Sequence, residues 1–152
     1  MNRANDNMCD LIDLCIKVNA GIPGDTLANL RHAGLYGSYH IIRDNVFHRI
    51  GYIAWASINK ESFVSLRDRG LPPKYSGEWD EGRLILITDL VYRGISPFEL
   101  RVLIYRLFPR RRIILFRRNN MMSIYRRDVD RYRLVGRHAC AGNSVSSRND
   151  RT

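Results

Sequence analysis

Asp89 is the side chain in this sequence with the most chemistry to explain. It interrupts the run Leu84-Ile85-Leu86-Ile87-Thr88 before Leu90-Val91. A carboxylate set among apolar neighbours is costly unless it is hydrogen-bonded or paired, so either its pKa rises or a partner exists. Two readings follow: an Asp paired with a core arginine or set at an edge position, or a carboxylate that moves a proton or orients a histidine. The turn after it, Arg93-Gly94-Ile95-Ser96, leads into a helix start. Free backbone N–H groups and the positive end of the helix dipole make Arg93, Gly94 and Ser96 candidates for holding an anion, against the reading of an ordinary strand-to-helix turn. His32, His40, His48 and His138 show no metal-ligand spacing with cysteines or carboxylates, so no metal site is expected. No serine sits in a nucleophile elbow, and no G-K-[ST] follows a glycine loop, which excludes a P-loop. Gly21-Ile22-Pro23-Gly24 has the spacing of a G-x-x-G backbone clamp, but Asp25 beside it would repel phosphate.

Charge supplies the second signal. The chain has 152 residues and a formal net charge of +10. Residues 1–100 hold 11 basic and 12 acidic side chains, whereas residues 101–152 hold 14 basic and 3 acidic. Of the 25 basic residues 22 are arginine, whose planar fork suits bidentate contact with phosphates and carboxylates. Arg110, Arg111 and Arg112 are the densest run. This is either a solvated basic face or a surface for an anionic partner: nucleic acid, an acidic protein or an anionic membrane.

The elements that must position these groups are readable from periodicity. Residues 6–18 place Met8, Leu11, Ile12, Cys15 and Ile16 on one face of a helix. A turn over 19–24 and a cap at Asp25 predict a second helix to about His32, with Leu27, Leu30 and Ala28 inward. Tyr39–Arg43 and Arg49–Ile58 read as strands about an Asp44-Asn45 turn. Residues 60–81 read as an irregular, partly helical excursion. Arg83–Tyr92 is apolar on both faces, as a strand inside a sheet should be. Ser96-Pro97-Phe98-Glu99 is a capping box, and Leu100, Leu103, Ile104, Leu107 and Phe108 form one helical stripe that Pro109 stops. Ile113–Phe116 and Met121–Tyr125 read as strands about an Asn119-Asn120 turn. The order predicts an α/β or α+β chain with a mixed sheet: one domain over 1–135 and a flexible basic tail over 136–152. Cys9, Cys15 and Cys140 have no redox spacing, residues 1–20 have no signal-peptide layout, and no apolar run approaches the roughly 20 residues of a membrane span. A cytoplasmic chain is expected.

Taken in order, residues 38–127 resemble the RTX toxin-activating lysine acyltransferases of the haemolysin C type. The likeness rests on Tyr39-His40-Ile41-Ile42-Arg43-Asp44-Asn45, on Tyr52-Ile53-Ala54-Trp55-Ala56, and above all on Trp79-x-x-Gly82 followed by an apolar strand reaching Asp89. Gly94, the next helix and Leu107-Phe108-Pro109 before an arginine-rich strand follow in the same order. The resemblance implies a GNAT-like fold, a mixed and mostly antiparallel sheet flanked by helices, whose splayed central strands hold the acyl donor. It implies transfer of a fatty acyl chain from acyl carrier protein, the co-substrate, to a lysine on a protein, with no bound cofactor and with Asp89 as the catalytic aspartate. It would set Arg93, Gly94, Ser96, Arg110, Arg111 and Arg112 against the acidic carrier. The family's histidine falls in the turn over 19–24, which here contains none, leaving His32 and His40 as substitutes. A catalytically silent GNAT-fold basic protein that binds nucleic acid or an acidic protein is the rival reading, and a homodimer is left open.

Overall fold

The computed structural model describes residues 3–19, 24–71, 73, 76–118 and 121–140. Six strands form one open sheet in chain order: β1 (Tyr39–Arg43), β2 (Arg49–Ile58), β3 (Leu84–Tyr92), β4 (Ile113–Arg118), β5 (Met121–Arg127) and β6 (Tyr132–Ala139). Among the described residues, β3 and β4 are the one parallel pair, and every other neighbour is antiparallel. Parallel neighbours need a crossover, and α4 (Pro97–Leu107) supplies it. The fold is therefore α+β with a mostly antiparallel sheet between helices, as the sequence reading expects, and it is consistent with a GNAT-like layout.

The helices divide between the two faces. Leu11, Leu14 and Cys15 of α1 (Arg3–Asn19) and Leu30 and Ala33 of α2 (Gly24–Tyr36) pack on Tyr52, Ala54 and Val91. On the same face Leu66 of α3 (Lys60–Arg69) and Trp79 of the short 3-10 turn Ser76–Trp79 pack on Ala56, Ile58, Leu86 and Leu115. The other face carries α4, with Phe108, Ile104 and Leu107 against Ile53, Ile85, Ile87 and Ile114. Alternation along β2 and β3 sends successive side chains to these two cores. Apolar burial of this kind is what holds helices this short.

Several expectations change. Helix α2 starts at Gly24, so Asp25 lies inside its first turn, and the helix runs on to Tyr36; Leu27 and Ala28 face solvent while Leu30 is buried. In α1 the buried stripe runs through Leu11, Leu14 and Cys15, leaving Ile16 exposed. Residues 60–69 form a regular helix capped by Asn59, whose side chain accepts from Ser62 N–H, and closed by Gly70 at φ 66°. Its polar composition hides it, because only one side touches the sheet. The first residues of the expected tail, 136–139, instead belong to β6, which pairs with β5 through Ala139, so the folded unit extends past 135. Gly136 weakens the strand signal there, and pairing along the edge of β5 overrides it. The turns over 20–23 and Asn119-Asn120, and residues 141–152, lie outside the described residues.

Candidate functional site

Asp89 owes its orientation to a bulge. Residue pairing between β2 and β3 runs Ala54 with Asp89 and then Trp55 with Ile87, leaving Thr88 as the extra residue. Strict alternation would send Asp89 to the α4 face, beside Ile85 and Ile87. The extra residue turns it to the α1–α2 face, where Thr88 already points by alternation from Leu86. Asn29 of α2 donates to the Thr88 carbonyl at 3.4 Å, so this helix lies over the bulge.

The carboxylate is partly buried and well held. The Tyr52 hydroxyl donates to Oδ2 at 2.5 Å, and the Leu90 N–H donates to Oδ1 at 2.9 Å. The Cys15 thiol of α1 also reaches the Tyr52 hydroxyl. Among the described residues no guanidinium pairs with Asp89. Burial pushes its pKa up, and the two hydrogen bonds oppose the rise without cancelling it. The tyrosine responds in the same sense: burial and the adjacent carboxylate hold the Tyr52 hydroxyl in its protonated form.

The strands part beside this carboxylate. β3 and β4 pair only over Ile85–Ile87 and Ile114–Phe116, although β3 continues to Tyr92 and β4 to Arg118. The β3–β4 pairing therefore ends beside Thr88 and Asp89, between the two apolar cores of the α1–α2 face, which is where a splay of the two strands would begin.

The two substitute histidines are separated by the sheet. His40 on β1 pairs with Ile53, whose side chain belongs to the α4 core, and it lines a concavity of about 390 Å³ with Arg43, Gly94 and Glu99. It cannot serve Asp89. His32 is one turn beyond Asn29 on α2, on the Asp89 face, and its ring stacks on Trp79 at 4.3 Å between centroids and 10° between planes. Burial, then the charge of Arg31, lower its pKa, favouring the neutral imidazole. Its Nδ1 and the Thr88 hydroxyl are both buried with no hydrogen-bond partner among the described residues. No histidine lies within hydrogen-bonding distance of the Asp89 carboxylate among the described residues.

The W-x-x-G motif now has a physical reason. Trp79 supports the His32 ring and donates its indole N–H to the Pro73 carbonyl at 3.3 Å. A Cβ on Gly82 would stand 1.7 Å from the carbonyl carbon and oxygen of Ile58, so the chain can cross β2 only as glycine. The role of His32 is not readable from sequence, since its helix and its aromatic support are 47 residues apart.

The anion candidates form two separate groups. Arg93, Gly94 and Ser96 lie after β3, and Gly94 adopts φ 79° to make the turn. The capping box is formed there: Ser96 Oγ accepts from Glu99 N–H at 3.2 Å, and a Glu99 carboxylate oxygen accepts from Ser96 N–H at 2.8 Å. That carboxylate occupies the place an anion would take. Arg110, Arg111 and Arg112 lie at the opposite end, beside the start of β3, roughly 30 Å away at about 3.3 Å of strand rise per residue. The sheet does not bring the two groups together. Among the described residues no cluster of His, Cys, Asp or Glu could hold a metal, and no helix is long and apolar enough to cross a membrane. No protein-family model matches the chain, and no curated protein is significantly similar to it.

Proposed function

We propose that the chain is a protein-lysine fatty acyltransferase of the toxin-activating type, taking its acyl group from acyl carrier protein. The supporting observation is Asp89: a partly buried carboxylate with no arginine partner among the described residues, turned by a bulge onto the α1–α2 face just past the point where β3 and β4 stop pairing. In this reading the splay receives the acyl thioester, and Asp89 draws the acceptor lysine to it. The neutral ε-amine attacks the thioester carbonyl. A C–N bond forms and the C–S bond breaks; the amine's surplus proton passes to a base, which hands it on to the departing carrier thiolate, so that the carrier leaves as its thiol. His32, held neutral and supported by Trp79, is the base on the correct face, and it replaces the histidine missing from the first turn. Arg93, at the Asp89 end of β3, faces the acidic carrier.

The test is incubation with acyl carrier protein charged with a fatty acid, with mass spectrometry of lysine-bearing acceptors and assay of released carrier thiol. The wild type should form hydroxylamine-resistant acyl-lysine, and Asp89→Ala should lose it while keeping its melting temperature within a few degrees. Equal thiol release from both proteins would overturn the reading. The gap between His32 and Asp89 favours a second reading, a silent scaffold whose arginines bind an anionic partner. It predicts no thiol release from either protein.

A further inference from the structure

The arginines at the start of β3 and β4 take no part in that reading, and they form a built surface. Arg83, Arg110 and Arg112 surround a concavity of about 690 Å³ floored by Leu84 and Ile113. The loop carrying Arg110 and Arg112 is clamped by its backbone. Tyr132 donates to the carbonyls of Phe108 and Arg111 at 2.9 and 2.7 Å, Arg127 donates to Phe108 at 3.0 Å, and Arg111 donates to Gly82 at 3.1 Å. Arg127 also lies over the Tyr105 ring at 3.7 Å, fixing the end of α4 from which the loop departs. The loop is thus held by Arg111, Arg127 and Tyr132, whereas Arg83, Arg110 and Arg112 make no ion pair or side-chain hydrogen bond among the described residues. Rigid backbone presenting unpaired guanidinium groups is preorganisation for an anion.

Further arginines stand on the next two strands. Residue pairing sets Arg126 of β5 beside Ile113 and Arg133 of β6 beside Arg126, on one face. Like charges directly opposed on neighbouring strands destabilise a sheet. Arg133 is offset by Asp128 at 2.6 Å, and Arg126 has no acidic partner among the described residues. From β3 to β6 the row spans three strand spacings, about 14 Å at about 4.8 Å each. Over that length one strand of a duplex passes about four phosphates, at about 3.4 Å of axis apiece.

We infer that this row is a binding site for the phosphodiester backbone of a nucleic acid. An elongated row exceeds what a single phosphate needs, and arginine forks fit phosphate oxygens in pairs. The floor, Leu84 and Ile113, offers no aromatic ring for a base to stack on, so contact is through the backbone and independent of base sequence. The inference does not depend on the acyltransferase reading, because Asp89 lies five residues along β3 from Leu84 and is hydrogen-bonded to Tyr52 of β2.

The test is fluorescence anisotropy with a labelled 24-base-pair duplex of mixed sequence and its single strand, between 50 and 200 mM salt. Wild-type affinity should fall steeply with salt. Replacing Arg83, Arg110, Arg112 and Arg126 with Gln should weaken binding at least tenfold at 50 mM and lower the log–log slope by about 3.6, at about 0.9 for each phosphate no longer neutralised. Removing the same charge elsewhere, by Arg31, Arg69, Arg101 and Arg106 to Gln, should cost less than threefold. Arg112→Glu alone repeats the test if the fourfold variant melts early, and Asp89→Ala should bind as wild type. Equal loss in the two fourfold variants would overturn the site. Displacement of the duplex by acyl carrier protein or phosphatidylserine vesicles at lower concentration than by unlabelled duplex would overturn the assignment to nucleic acid.

Discussion

The Tyr52 hydroxyl donates to Oδ2 of Asp89 at 2.5 Å across the β2–β3 pair, and the tyrosine is wholly shielded from solvent. Tyr52 pairs with Val91 in the ladder and Asp89 with Ala54, so the bond is diagonal and exists because the bulge brings Asp89 to the face of Tyr52. That bond lowers the Asp89 pKa against the rise due to burial. Tyr52→Phe should therefore raise the Asp89 titration midpoint and cost roughly 1.5–3 kcal/mol, the range for a hydrogen bond to a charged group. Carboxyl-carbon NMR titration reads the first effect and chemical denaturation the second. An unchanged midpoint would mean that the tyrosine does not hold the carboxylate in solution.

Asp89→Asn should change the pH dependence of stability. The folded-state pKa of Asp89 lies above its ordinary value of 3.8, so across the window above 3.8 the folded protein holds more of this proton than the unfolded chain. Stability from this group is present at low pH and is lost as pH rises through the folded-state value. The melting temperature of the Asn variant minus that of wild type should grow from pH 4 to pH 7 in scanning fluorimetry. A difference that shrinks over this range would contradict a raised pKa.

His32 behaves in the opposite sense. Its folded-state pKa lies below 6.5, so the unfolded chain binds its proton first as pH falls. Stability from the neutral ring is present above pH 6.5 and is lost below it. His32→Phe retains a ring against Trp79 and has no proton to gain, so its advantage over wild type should widen from pH 7.5 to pH 5.5. His32→Ala should cost about 0.5–1.5 kcal/mol in stacking beyond the burial it gives up. Both variants should lose acyl-lysine formation.

Gly82→Ala places a methyl group 1.7 Å from the Ile58 backbone, which cannot move without breaking β2 from its neighbours. A cost above about 4 kcal/mol is expected, visible as insoluble expression or a collapsed melting temperature. A variant melting within a few degrees of wild type would show that the chain has room to separate where residue 82 crosses Ile58.

Phe47 holds φ 65° with its ring 77% exposed at the β1–β2 hairpin tip. Left-handed backbone costs a bulky residue about 1–2 kcal/mol, and an exposed ring recovers little of it. Phe47→Gly should therefore leave stability unchanged or raise it by up to about 1 kcal/mol by denaturation. A clear loss would mean that the ring packs in solution.

Local pattern is enough to read much of this chain. The stripe from Leu100 to Phe108 with its capping box, the apolar run of β3, and the strands around Trp55 and Leu115 follow from periods of 3.6 and 2, which each segment carries alone. The isolation of Asp89 within its strand is equally visible, because the cost of a buried carboxylate is a property of its neighbours in sequence. What each group faces is not. A single unpaired Thr88 decides which side of the sheet Asp89 meets, and it exists only once β2 and β3 are paired. His32 reaches its support through α2 packing, while His40 is turned to the other face by its partner Ile53. Helix α3 and strand β6 are hidden because neighbouring elements, rather than their own composition, stabilise them. The arginine row of β3 to β6 likewise joins residues up to 50 positions apart. Pairing and packing are contacts between distant segments, so only the folded chain decides them.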